Sequence, residues 1–179
     1  MKSLLCLLAL FVAPAQAQDW KLDPAQSQIR FVIRQMNVPV EGGFRRFQVK
    51  ANFDPARIDS ARFEVDVDVA SIDTGSEEGD SEARRPVWFD TQRHPRARFV
   101  SKSVRKETDG RHSVLGDLTI KGTTRPLAVS VDLVRQPKGG WLAQGRFPLK
   151  RSDFNIGAGE WNDVVADVAD VRFKIVLAP

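Results

Sequence analysis

The chain has 179 residues, of which 42% are hydrophobic and 28% charged, and its formal net charge is +4. So small an excess of positive charge excludes the basic footprint of a nucleic-acid binder. A single cysteine, Cys6, excludes a disulfide framework and a cysteine-ligated zinc site. The two histidines, His94 and His112, stand apart in charged or turn-like sequence and do not supply a zinc ligand set.

Residues 1–17 carry the three parts of a secretory signal: Lys2, the apolar run Leu4 to Val12, and the small-residue cleavage site Ala15-Gln16-Ala17. The run is too short for a permanent membrane span. Cys6 lies at the front of the run, not at its end, which argues against a lipoprotein anchor. Cleavage after Ala17 leaves residues 18–179, a length that fits one soluble domain resting on core packing alone.

Period-two alternation then dominates. After a short candidate strand at Trp20 to Asp23, Ser27 to Arg34 presents Ile29, Phe31 and Ile33 on one face. Phe47, Val49, Ala51 and Phe53 alternate with polar residues, as do Phe63, Val65, Val67 and Val69. Arg96 to Lys106 presents Ala97, Phe99 and Ser101, and His112 to Lys121 presents Val114, Leu118 and Ile120. Leu127 to Leu133, Trp141 to Phe147 and Val171 to Leu177 repeat the pattern. Turn signals separate these runs at Glu41-Gly42-Gly43, Asp54-Pro55, Asp109-Gly110, Lys121-Gly122 and Lys138-Gly139-Gly140. Eight main strands, each with one apolar and one wet face, predict an all-β antiparallel sandwich or barrel.

Thr74 to Arg85 breaks the alternation. Thr74 or Ser76 can cap, and Glu77, Glu78 and Asp80 suit the first turns of a short helix. An irregular stretch follows through Pro86, Trp88, Phe89 and Pro95, and a second runs from Arg151 to Asp167. Two such excursions on a compact sheet are candidates for a lid or a barrel mouth. Asp59 to Glu82 holds nine acids and one base, whereas Arg84 to Lys106 holds eight bases and one acid. A basic surface for anionic lipid is one reading. Adjacent strands whose outer faces pair is the preferred one.

Catalytic patterns are sparse. No G-x-S-x-G is present, and Gly157-Ala158-Gly159 does not open a helix after a buried strand, so it reads as a flexible turn. Glu64, Asp66 and Asp68 share a solvated strand face. Glu160, Asp163, Asp167 and Asp170 lie near Trp161 and read as loop acids in preference to a cation site. What remains is the interior. A closed eight-stranded sheet either fills with side chains or holds one ligand. The inward face offers large residues beside small ones, Ala51, Ala97, Ala143 and Gly145, which leaves room for an apolar groove.

An ordered set of segments then gives a resemblance. It comprises Trp20-Lys21-Leu22-Asp23, Ser27-Gln28-Ile29-Arg30-Phe31, Gly43-Phe44, Phe53-Asp54-Pro55 and Ala70-Ser71-Ile72-Asp73-Thr74. It continues with Trp88-Phe89-Asp90, Pro95-Arg96-Ala97-Arg98-Phe99, the block Gly116 to Pro126, and Arg151-Ser152-Asp153-Phe154-Asn155-Ile156-Gly157. Over nearly the whole mature sequence the chain resembles the YceI-like family of exported bacterial proteins. The resemblance implies a lipocalin-like closed barrel of about eight strands with one short helix. It also implies a periplasmic carrier that holds an isoprenoid lipid, of quinone or polyprenyl-phosphate type, along the barrel axis, without catalytic residues, metal or cofactor. Arg34-Gln35 stands where a histidine often follows the S-x-I-x-F block, and Gly157 to Trp161 is similar to a subgroup that points to a quinone. On this reading Phe31, Phe47, Phe63, Phe99, Phe147 and Phe173 line the ligand site, and Phe89, Phe154 and Trp161 close its mouth. Transient contact with a membrane and homodimerisation stay open. Two alternatives are kept: an enzyme acting on an isoprenoid or redox lipid, which needs a polar cluster in the barrel, and a stress or interaction protein with a solid core.

Overall fold

The computed structural model describes residues 17–137 and 139–179. The predicted signal segment falls outside the described residues apart from Ala17, and Cys6 with it.

Eleven antiparallel segments form one sheet: β1 (Gln18–Leu22), β2 (Gln28–Gln35), β3 (Val38–Phe44), β4 (Phe47–Phe53), β5 (Arg62–Asp68), β6 (Ile72–Asp73), β7 (Arg96–Lys106), β8 (His112–Ile120), β9 (Thr123–Arg135), β10 (Trp141–Lys150) and β11 (Val168–Ala178). The pairings show why eleven segments make an eight-stranded barrel. β1 and β2 both pair with β11, at Leu22↔Leu177 and Gln28↔Lys174, and are two halves of one broken strand. β3 and β4 pair with β2 and β1 and form a second broken strand, kinked at Arg45-Arg46. β6 adds a two-residue patch on β3. The ring then runs β4, β5, β7, β8, β9, β10, β11 and back to β1, so the eight-stranded barrel is closed and its ladders end on each other.

The stretch Glu41-Gly42-Gly43, expected as a turn, is a correction: it lies inside β3, with both glycines buried. The reversal falls instead at Met36-Asn37, whose φ of 48° and 66° match the two-residue hairpin turn with both central residues left-handed. Glycines signalled the turn because they commonly mark one. Here they serve packing, as described below.

The uneven charge resolves as pairing between neighbouring strands. Asp66 faces Arg98 and Asp68 faces Arg96 across β5 and β7. Arg98 reaches Glu64 at 2.7 Å, and Lys50 reaches the same carboxylate at 3.5 Å. On an exposed face each pair stabilises by about 0–1 kcal/mol.

The two ends of the barrel differ. At one end Trp20 stacks on Phe53 at 5.3 Å and Trp141 meets Phe53 edge-on at 5.9 Å. The Trp20 indole donates to the Phe53 carbonyl at 3.2 Å, and Phe53 and Leu177 are almost wholly buried. At the other end lies the helix α1 (Glu77–Arg84). Ser76 caps it by accepting from the Gly79 N–H, and the buried Asp80 accepts from the Thr74 N–H and hydroxyl at 2.7 and 2.9 Å. These contacts hold α1 across the barrel end.

Candidate functional site

The barrel is hollow. A cavity of about 740 Å³ lies inside the strand ring, within the roughly 300–1,000 Å³ typical of small-molecule sites. β2 gives it Ile29, Phe31 and Ile33, β5 gives Phe63, Val65 and Val67, and β9 gives Leu127, Val129, Val131 and Leu133. β11 adds Val171, Phe173 and Ile175. These are the alternate positions of each strand, so the period-two pattern builds the wall directly. The cavity also explains an oddity of burial. Phe31, Phe63, Phe99, Phe147 and Phe173 are only half-buried although they point inward, because their rings face the hollow.

Glycines keep the hollow open. Gly42 faces Phe31 in register, and a Cβ there would collide with that ring. Gly145 faces Phe173, whose Cζ would lie 2.8 Å from a Cβ at Gly145. Each phenyl therefore lies down over a bare backbone on the neighbouring strand and is held against the wall, away from the barrel axis.

Seven of the nine residues expected at the site line this cavity: Phe31, Phe63, Phe99, Phe147, Phe173, Phe89 and Trp161. Two do not, and their placement is corrected. Phe47, the first residue of β4 after the Arg45-Arg46 kink, packs half-buried towards the Phe53 cluster and borders a separate polar groove with Arg30, Glu41 and Asp68. Phe154 is 3% exposed and packs with Leu118, Ile120 and Ile156, of which the last three reach the cavity while Phe154 does not. Among the small residues, Ala97 and Ala143 line the cavity, whereas Ala51 is buried in the Phe53 cluster. Phe44, not among the expected residues, also reaches the cavity from β3 and bridges Phe31 and Phe89 at 5.9 and 6.0 Å. It was hidden beside the glycine pair that had suggested a turn.

The two irregular stretches meet at the α1 end and form the mouth. Gln35 of β2 and Thr74, Ser76, Glu78 and Glu82 of the α1 segment give this part of the cavity its hydroxyl, amide and carboxylate groups. Trp88 and Trp161, one from each stretch, meet edge-on at 5.3 Å, and both line the cavity. The indole N–H of Trp88 is buried without a partner. Gly157 was expected in a flexible turn; it is instead buried at φ 63°, with a Cβ position 2.8 Å from the Trp88 ring.

Arg151 organises the second stretch. It is 3% exposed and donates to the carbonyls of Ala166, Ile156, Gly157, Trp161 and Val165. A planar guanidinium with five donors can gather several loop carbonyls at once, which a lysine cannot. Lys121, at the β8–β9 turn, ties the stretches together by donating to the Val87 and Asn155 carbonyls at 3.2 and 2.7 Å. Asp167 accepts from the Ser152 N–H and hydroxyl, both at 2.9 Å, and Asp170 pairs with Arg172. Both acids are thus bound into the fold, and among the described residues no cluster of three or more His, Cys, Asp or Glu is placed to hold a metal ion.

His112 is the imidazole of the cavity wall. Burial, followed by the nearby charge of Lys106, holds its pKa below the ordinary histidine value. Its Nδ1 is buried without a hydrogen-bond partner.

A closed eight-stranded antiparallel barrel around an apolar hollow, with one helix at its mouth, places the chain in the lipocalin-like class of barrels. Residues 20–177 match the YceI-like domain, and the chain belongs to that family. Two UPF0312 proteins, from Photorhabdus laumondii and Ectopseudomonas mendocina, are each 30% identical to it, over 93% of both chains for the first and over 92% of this chain and 93% of the relative for the second. Among solved structures, Burkholderia cenocepacia BcnA superposes with a TM-score of 0.83 at 36% identity, covering 87% of this chain and 99% of that one. A polyisoprenoid-binding domain from Saccharophagus degradans superposes with a TM-score of 0.71 at 17% identity, covering 89% and 98%, and shares the fold.

Proposed function

We propose that the protein is a binding protein for an isoprenoid lipid, of quinone or polyprenyl-phosphate type, whose apolar chain lies inside the barrel. The observation that carries this reading is the hollow itself, a cavity of about 740 Å³ walled by aliphatic and aromatic side chains. Each methylene moved from water into such a wall gains roughly 0.8 kcal/mol. At the mouth Gln35, Thr74 and Ser76 offer hydrogen bonds to a polar group of the ligand. The Saccharophagus degradans neighbour, a polyisoprenoid-binding domain, supports the same ligand class.

Two other readings are weaker. A stress or interaction protein with a solid core does not fit an interior with this much space. An enzyme needs a cavity-facing acid or base with a partner that orients it. His112 faces the cavity, yet its side chain makes no hydrogen bond among the described residues. The protein is proposed to act in the periplasm after losing residues 1–17, on the signal-like segment of the sequence.

Tryptophan fluorescence tests the ligand class, because Trp88 and Trp161 stand at the mouth. Saturable quenching by a quinone bearing an isoprenoid chain supports a quinone carrier, and competition by a polyprenyl phosphate alone supports the phosphate. No response to either removes the isoprenoid reading. For location, release of the full-length chain by osmotic shock, with a mature N-terminus at Gln18, is expected; retention in the cytoplasm with residues 1–17 attached contradicts export.

A further inference from the structure

His112 opens β8, in register with Lys106 on β7 and Val131 on β9. Its neighbours Val104 and Val114 belong to the cluster of Phe53 and Leu177, and Val131 and Leu133 pack against it. The imidazole therefore lies towards the aromatic end of the barrel, away from α1 and the mouth groups. Around it the wall is aliphatic and aromatic, so a lone imidazole there has no packing advantage over leucine.

The ring also carries unused bonding capacity. Nδ1 is buried without a partner, and orphaned buried N–H groups are rarer than orphaned acceptors. That places the proton of the neutral ring on Nε2 and leaves one N–H donor. Burial, and then the charge of Lys106, lower its pKa from the ordinary histidine value, which favours the neutral ring.

We infer that His112 is a hydrogen-bonding subsite at the aromatic end of the cavity, and that the bound ligand places a hydroxyl or carbonyl oxygen there. This deepens the lipid-binding reading and rests on it. The oxygen has two sources. It is either a polar group at the distal end of a chain whose headgroup stays at the mouth, or the headgroup of a ligand that enters head first.

Titration of 1-hexadecanol and 1,16-hexadecanediol into the mature protein separates these sources. A single net hydrogen bond of about 0.5–1.5 kcal/mol corresponds to a roughly twofold to twelvefold change in affinity. His112→Leu is expected to weaken the diol by that factor. If it weakens the diol and spares the mono-alcohol, the distal group is the source; if it weakens both, entry is head first. His112→Gln, which keeps an N–H donor, restores much of the loss and keeps the test readable should His112→Leu fail to fold. Unchanged affinity of both alcohols in a folded His112→Leu overturns the subsite and leaves lipid binding standing. Failure of both alcohols to bind the native protein removes the subsite and the lipid-binding reading together.

Discussion

Phe173 lies over Gly145 on the neighbouring strand, so closely that a Cβ at Gly145 would stand 2.8 Å from the phenyl Cζ and 2.5 Å from the Ser130 carbonyl oxygen. The ring is thereby kept on the wall and the axis stays clear. Gly145→Val is expected to destabilise the protein by about 1–3 kcal/mol, the usual cost of overpacking. It also pushes Phe173 inward, so lipid capacity falls. Thermal melting alongside lipid titration checks both effects; an unchanged melting temperature with full lipid capacity means the ring does not need the glycine.

Phe99 tests the wall from the opposite direction. It lines the cavity from β7 and packs against the clusters at both ends. Phe99→Asp places a carboxylate in an apolar wall, where an unpaired charge is strongly disfavoured. Lipid uptake is expected to be lost in the folded fraction, with circular dichroism reporting the fold and scintillation or fluorescence titration the uptake. Normal uptake by a folded Phe99→Asp protein would take this residue out of the site.

Arg151 is where the mouth is held. Its guanidinium accounts for hydrogen bonds to five carbonyls of the 151–167 stretch. Arg151→Met leaves several of those buried acceptors without a donor, at roughly 1–3 kcal/mol each before relaxation. A net loss of about 3–5 kcal/mol is expected by urea unfolding, as for breaking a buried charged network. Faster lipid exchange should accompany it, because Trp161 hangs on the same stretch. Arg151→Lys is not expected to rescue, since an ammonium cannot reach the same carbonyls.

Acid should loosen the mouth through Asp90. The hydrogen bond and charge of Arg93 hold its carboxyl below the usual carboxylate range, with the Arg93 Nε 2.6 Å away. A carboxylate with a lowered folded pKa contributes stability that is fully present above its unfolded pKa of about 3.9 and is lost as pH falls through the folded value. Asp90→Asn should therefore be less stable than the native protein at pH 7 and flatten the acid limb below about pH 4. Urea midpoints across pH 2–7 give both slopes, and parallel profiles would exclude Asp90 as a contributor.

The fold was legible because alternation encodes it: eight apolar–polar runs specify eight walls of a barrel, and a closed barrel turns every inward position towards one space. The Ser76 cap and acidic first turn announced α1 equally well. The sequence misled at Gly42-Gly43, where glycines that mark a reversal elsewhere serve as a seat for Phe31 inside a strand. Strand parity also could not separate a ring on the cavity wall from one packed beside it. Phe47 sits at a kink and Phe154 one layer behind Leu118 and Ile120, and both depths depend on how the chain bends, not on its period. Arg151 and His112 were obscure for a different reason. A buried arginine whose partners are backbone carbonyls and the Asn162 amide oxygen has no acidic partner to betray it, and a lone histidine at a strand start reads as solvated until the register turns it inward.

Occupancy of the hollow by an isoprenoid lipid is open to direct measurement. The most direct test is to express the full chain with its own first residues, purify the mature protein from the periplasm without detergent, and compare native mass spectrometry of the intact protein with mass spectrometry of its organic extract. One isoprenoid lipid per chain is expected, with its mass carried by the intact complex and released on extraction. A protein that emerges empty, and that stays empty when offered quinones and polyprenyl phosphates, would contradict it.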